Sequence, residues 1–249
     1  MKDQNQIASF SYLVYSNEVD FQEEMSVARL VEVLIDAASR HAESLKIGSG
    51  DLKKNNHAWV LARVAIELER NPRLGETVVV STWIDSFTKH FTTRCFKLET
   101  KCGQLVGYAR TVWSIIDSQE RNSVDITPYN HIAEIVSEEP CPITKPGKIA
   151  IIPESIEPTY TDKVKVSDLD INVHLTSVRY IDYMLDQLTL QTCLDCRIAR
   201  FEIHFLKEAK YGADIQMYKM DEAPNQLVLE LKEANVVRSR CRLVLSQRN

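Results

Sequence analysis

Three polar side chains alternate along one short stretch. They are Asp170, Asn172 and His174, within Asp168-Leu169-Asp170-Ile171-Asn172-Val173-His174. In an extended segment alternate residues point the same way. The run Val178 to Leu185 that follows has apolar residues at helical spacing, and a helix N-terminus favours negative charge. A carboxylate, an amide and an imidazole ahead of a helix are the parts needed to polarise a carbonyl oxygen and handle a proton. Each also has an ordinary explanation when taken alone. His174 could be a surface or capping residue, Asn172 a turn former, and Asp170 a charge suited to a helix start.

The elements that must hold these residues can be read from periodicity. Glu23 to Leu45 carries an apolar face near period 3.6, through Met25, Ala28, Leu30, Val31 and Leu34, and predicts a helix. Trp59–Leu68, Glu76–Asp85, Phe91–Thr100 and Leu105–Ile116 read as strands, with Gly75 and Gly103 at turns. A proline-rich stretch, 139–160, reads as a linker.

The second half then repeats the first. Ala199-Arg200-Phe201-Glu202-Ile203 follows Ala62-Arg63-Val64-Ala65-Ile66 at a distance of 137 positions, and each block is followed by a glycine 13 positions on, Gly212 and Gly75. The helical run at Arg179 lies 150 positions after the one at Arg29. The first half thus holds 13 extra residues between helix and strand, around 38–58. Such order implies a tandem duplication of one helix-plus-sheet unit. One unit alone would leave a sheet face and edges uncovered, which pairing two units can relieve. The repeat also acts as an internal control. Asp170, Asn172 and His174 fall opposite Asp20, Gln22 and Glu24, and Glu208 falls opposite Asn71. Only the second half has the complete polar set, so one site per chain is expected.

Composition narrows the class. A hydrophobic content of 44% and a charged content of 26% are ordinary for a globular chain. The net charge of −5 argues against general nucleic-acid binding. No run reaches transmembrane length, and the first residues lack the apolar core of a signal peptide, so a cytoplasmic protein without a membrane span is expected. The six cysteines are scattered; Cys193 and Cys196 form the one close pair, a weak zinc signal. No phosphate loop or nucleophile elbow occurs. The expectation is therefore no metal and no cofactor.

Three stretches resemble the acyl-acyl carrier protein thioesterases of plant plastids and their bacterial relatives. Asp168-Leu-Asp-Ile-Asn-Val-His-Leu-Thr-Ser-Val-Arg-Tyr-Ile resembles that family's Asp-x-Asn-x-His signature. Trp59-Val-Leu-Ala-Arg-Val-Ala-Ile-Glu and Gly75-Glu-Thr-Val-Val-Val-Ser-Thr-Trp83 resemble its first-domain strands. The resemblance implies an α+β fold, a tandem (double) hotdog with a long helix packed on an antiparallel sheet in each half. It implies an N-terminal hotdog domain over 1–138 with the acyl-chain cavity, the linker 139–160, and a catalytic C-terminal hotdog domain over 161–249. The implied activity is hydrolysis of fatty acyl-acyl carrier protein, with Asp170, Asn172, His174 and Glu208 as catalytic residues.

In that scheme Glu208 is the general base on a water. His174 and Asn172, with a backbone N–H at the helix start, bind the thioester oxygen, and Asp170 orients one of them. Where the family often has a cysteine this chain has Ala209, so water rather than a thiolate is the expected nucleophile. Thr176-Ser177 stands where the family favours two asparagines. The implied partners are the acyl carrier protein, through its phosphopantetheine thioester, and the fatty acyl chain. Arg179, Lys207, Lys210, Arg63 and Lys89 are candidate docking cations. The chain would be a monomer with an internal pseudo-dimer, or a homodimer. Alternatives are an acyl-CoA thioesterase, a hotdog hydratase or dehydratase acting on an acyl thioester, and a non-catalytic acyl-binding protein.

Overall fold

The structure, a computed structural model, describes residues 6–127 and 134–248. The chain divides into two compact units, Met1–Lys145 and Pro146–Asn249. Among the described residues no helix is long and apolar enough to cross a membrane.

The first unit runs β1 (Ile7–Leu13), α1 (Val27–Ser44), α2 (Ser49–Lys53), β2 (His57–Leu68), β3 (Thr77–Phe87), β4 (Thr92–Thr100) and β5 (Leu105–Asp117). Its strands pair antiparallel in the order β1-β3-β4-β5-β2. Ser26 caps α1, its hydroxyl accepting the Arg29 N–H at 3.3 Å. The helix buries Leu30, Val31, Leu34, Ala37 and Ala38, the i, i+3, i+4 stripe seen in the sequence. Val64, Ile66, Val80, Phe96 and Leu98 bury the facing side of the strands.

The second unit has β6 (Tyr160–Lys163), α3 (Ser177–Leu185), α4 (Leu190–Asp195), β7 (Cys196–Phe205), β8 (Asp214–Ala223), β9 (Gln226–Glu233) and β10 (Val236–Gln247). The order β6-β8-β9-β10-β7 repeats that of the first unit. Ile181, Met184, Phe201, Ile203, Met217, Leu229, Leu231 and Leu243 make up much of its core. Here the helix is half as long, 9 residues against 18. It stops at Asp186, and Thr189 starts a new helix by accepting the Thr192 N–H at 3.1 Å. The extra residues of the first half therefore lengthen α1.

The proline-rich stretch is tied down along its length. Within the first unit, Arg110 donates to the carbonyls of Ile143 and Cys141 at 2.9 and 2.8 Å. Within the second, Ile149 and Ile152 are buried against Tyr218 and Val228.

Candidate active site

The Asp170–His174 segment is a closed turn. One Asp170 oxygen, Oδ1, accepts the backbone N–H of Asn172 at 2.8 Å and of His174 at 3.0 Å. The Asp170 N–H donates to the His174 carbonyl at 2.8 Å, and Val173 N–H to the Asp170 carbonyl at 3.0 Å. This geometry forces Val173 to φ +63°, a left-handed conformation that a β-branched residue rarely adopts.

The first unit builds the same turn. Asp20 Oδ1 accepts the N–H of Gln22 at 2.8 Å and of Glu24 at 3.2 Å, and Glu23 stands at φ +60°. The aspartate and the strained residue therefore serve the turn in both halves. What separates the halves chemically is the side chains at its third and fifth positions, Asn172 and His174 against Gln22 and Glu24.

A second segment runs beside the turn. Leu175 N–H donates to the Ala209 carbonyl at 2.9 Å, and His174 faces Lys210 in an antiparallel bridge. That register sets Glu208 Oε2 3.4 Å from His174 Nε2. The imidazole is mostly buried and the carboxylate open to solvent, 17% and 41% exposed. In the first unit Met25 N–H donates to the Pro72 carbonyl at 2.7 Å and Glu24 faces Arg73. There Glu24 lies 3.7 Å from the Arg73 guanidinium and Asn71 stands where Glu208 does. One unit thus presents an imidazole and a carboxylate to one another, and the other a carboxylate and a guanidinium.

Of the four residues singled out from the sequence, the structure brings His174 and Glu208 into contact and bonds Asp170 to the turn. Asn172 lies exposed, its Nδ2 3.5 Å from Asp170 Oδ2.

Two supporting residues escaped the sequence reading. Tyr180 is buried on α3; its hydroxyl accepts the Ala209 N–H at 2.7 Å and donates to the Lys207 carbonyl at 3.2 Å, bracketing Glu208. Burial pushes this phenol up to about 12, so it remains a donor at neutral pH. The first unit has Leu30 at the matching helix position and Pro72 in place of Ala209. Proline has no N–H to satisfy, so no phenol is needed there. That paired difference between the halves was the available signal.

The second such residue is Asp168, fully buried at the foot of the turn. Its carboxylate accepts from Lys165 N–H at 2.8 Å, Arg179 Nε at 2.9 Å and Tyr183 Oη at 2.9 Å. Burial acts to raise its carboxyl, but these donors prevail and hold it below the usual carboxylate range. Its carbonyl accepts the N–H of Thr176, the residue that precedes α3. The network fixes the helix start against the turn. Unlike Ser26, Thr176 caps no backbone N–H with its side chain.

Comparison with known proteins follows the same two-part division. The family model for the acyl-ACP thioesterase N-terminal domain matches residues 6–135, and that for the acyl-ACP thioesterase C-terminal domain matches residues 153–241. The chain belongs to the acyl-ACP thioesterase family. Its fold follows that of an acyl-ACP thioesterase from Bacteroides thetaiotaomicron, with a TM-score of 0.92 and 31% identity over 99% of this chain and 100% of the other. A 12:0-ACP thioesterase from Umbellularia californica superposes with a TM-score of 0.87 at 17% identity, over 98% and 99% of the two chains. These likenesses establish the tandem hotdog α+β fold. Among curated relatives, oleoyl-acyl carrier protein thioesterase 2 of Arabidopsis thaliana is 21% identical over 90% of this chain. Dodecanoyl-[acyl-carrier-protein] hydrolase of Cinnamomum camphora is 25% identical over 83%. The matched regions span 65% and 57% of those two plant proteins.

Proposed function

We propose that this protein hydrolyses the thioester of fatty acyl-acyl carrier protein, releasing the fatty acid and the carrier's thiol. The observation that carries this is the His174–Glu208 pair at 3.4 Å, present in one unit and replaced in the other. Glu208, open to solvent, suits a general base: it takes a proton from water as the oxygen attacks the thioester carbon. His174 Nε2 and the Asn172 amide suit the oxygen that becomes negative, helped by the α3 N-terminus. When the C–S bond breaks, the proton held by Glu208 passes to the departing sulfur, so atoms and charge balance. Asp170 acts by holding the turn. Ala209 is buried, with both backbone groups engaged, which supports water as the nucleophile.

The first unit contains a cavity of about 220 Å³ with mainly apolar walls, including Ile35, Ala38, Ile84, Trp59 and Trp113. Its apolar walls support a role in holding the acyl chain and the division of labour between residues 1–138 and 161–249, joined through 139–160. Among the candidate docking cations, Arg179 is engaged by Asp168 and Asp182, and Lys89 lies 3.8 Å from Asp125. Lys207 and Lys210 flank Glu208, exposed and with no carboxylate partner among the described residues. They suit an acidic carrier. A cytoplasmic setting fits six free thiols.

The test is thiol release from acyl carrier protein and coenzyme A thioesters of graded chain length. Glu208→Gln and His174→Ala should each cut kcat by ~10²–10³ with the fold retained. Release from coenzyme A alone would reassign the handle. Water addition to an enoyl thioester without thiol release would make the protein a hydratase.

A further inference from the structure

The cavity of the first unit is not wholly apolar. Arg94 lines it and is 5% exposed. Its Nη1 donates to His41 Nδ1 at 2.8 Å and to Thr82 Oγ1 at 3.2 Å. Guanidinium groups only donate, so His41 Nδ1 must be the acceptor here. Among the described residues no carboxylate pairs with Arg94, and Nη2 and Nε make no hydrogen bond. Burial pulls the guanidinium down to about 10, which leaves it charged at neutral pH. Neither Nη2 nor Nε is among the buried atoms sealed without a partner, so these donors are open to the cavity, where covering them with an apolar group is costly.

The duplication shows that the fold does not need a cation at this place. Arg94 faces Thr111, and Thr111 faces Val64. Val64 matches Phe201 in the repeat, and Phe201 faces Leu243, which faces Leu227. The ladder Arg94-Thr111-Val64 is therefore Leu227-Leu243-Phe201 in the second unit. His41 sits on the part of α1 that extends beyond the length of α3. The polar cluster is thus built from features the first unit alone has, and it faces apolar walls.

We infer that this cavity receives the far end of an acyl chain bearing a hydrogen-bond-accepting oxygen, in preference to a plain methyl end. The inference rests on the acyl-thioester reading above. An oxygen reaching Arg94 would bond the unused Nη2 or Nε donors. A methyl end would cover them and leave them unbonded. Sites built around a polar partner discriminate strongly against substrates that lack it. The volume is below the roughly 300–1,000 Å³ of pockets that enclose a whole small ligand, which fits a chain end.

The test compares acyl carrier protein thioesters of one length ending in methyl, hydroxyl or carboxyl, with wild type and Arg94→Leu, the residue type the second unit carries there. Wild type should favour an oxygenated end by about tenfold or more in kcat/KM. The hydroxyl and carboxyl arms tell which oxygen is preferred. In Arg94→Leu the oxygenated substrates should slow and the methyl-ended one should gain. Equal or better turnover of the methyl-ended chain by wild type overturns the inference while leaving thioesterase activity intact.

Trp59 and Trp113 line the cavity and give a readout that does not depend on turnover. Titration with methyl dodecanoate and its terminally hydroxylated counterpart should shift tryptophan emission at lower concentration for the hydroxylated ester, in wild type only. No difference between the two esters also overturns the inference, even if no thioester is hydrolysed.

Discussion

Asp170 can be assigned between two roles by a paired experiment on both halves of the chain. Its Oδ1 accepts two backbone N–H groups, at 2.8 and 3.0 Å, and Asp20 does the same at 2.8 and 3.2 Å. Each bond is worth about 1 kcal/mol. Asp170→Ala and Asp20→Ala should therefore each lower stability by about 2 kcal/mol, read as a fall in the urea midpoint at constant m. Their effects on catalysis should differ. Loss of the Asp170 bonds frees the turn carrying Asn172 and His174, and a displacement of about 1 Å at reacting groups costs roughly 10² in rate. Asp20→Ala should leave kcat/KM for acyl carrier protein thioesters unchanged.

Asp170→Asn decides between the roles. The amide oxygen can still accept both N–H groups, so a turn-holding Asp170 predicts activity within about tenfold of wild type. A general base at Asp170 predicts a loss of ~10²–10⁴, as for Glu208→Gln. If Asp170→Asn is as inactive as Glu208→Gln while its urea midpoint matches wild type, the turn-holding role is wrong.

Other consequences follow from the same geometry. Tyr180→Phe should cost about 1–3 kcal/mol, because the buried Ala209 N–H loses its acceptor; kcat should fall more than KM changes as the Glu208 corner loosens. Asp168→Asn should cost about 3 kcal/mol at neutral pH. Because the native carboxyl titrates below its unfolded value, that contribution is complete above about pH 4 and fades as pH falls further. Urea titrations of wild type and variant should therefore converge in acid. Replacing both Lys207 and Lys210 by Ala should raise KM for the carrier-bound substrate several-fold, with kcat preserved. Added salt should raise KM in wild type and do little in the double variant.

Much of the first unit was legible because its strands are long and its helix strongly periodic. The helix expected over 23–45 forms over Val27–Ser44, and the four expected strands form within two residues of their anticipated ends. The edge strands β1 and β6 were not, since Ser9, Ser11, Thr161 and Asp162 give them no apolar run. The helical run read over 178–185 forms as α3, Ser177–Leu185. Leu188 and Leu190 continue an apolar pattern while Thr189, a residue of modest helix propensity, begins a new cap. At the site, Asp170, Asn172 and His174 stood out by type and spacing, but they lie on a closed turn and not in an extended segment, so alternation did not give their directions. The contact between Glu208 and His174 depends on pairing across 34 positions, and the family resemblance, with the repeat, drew attention to Glu208. Tyr180 and Asp168 were not singled out, since their burial with polar partners is a tertiary property. Arg94 likewise lay in a strand with no sign of its isolation.

The left-handed residue shared by both turns, Glu23 and Val173, bears on how this chain could be altered. Both halves hold this residue in the left-handed region, so the strain goes with the scaffold and does not depend on which polar side chains the turn carries. Gain or loss of a site in either half then needs only side-chain exchange on a frame already shaped for it. Gln22→Asn, Glu24→His and Asn71→Glu would write the same amide, imidazole and carboxylate into the first turn, and Pro72 already holds that corner without a tyrosine brace. The first half is thus a ready template for a second imidazole–carboxylate pair in one polypeptide.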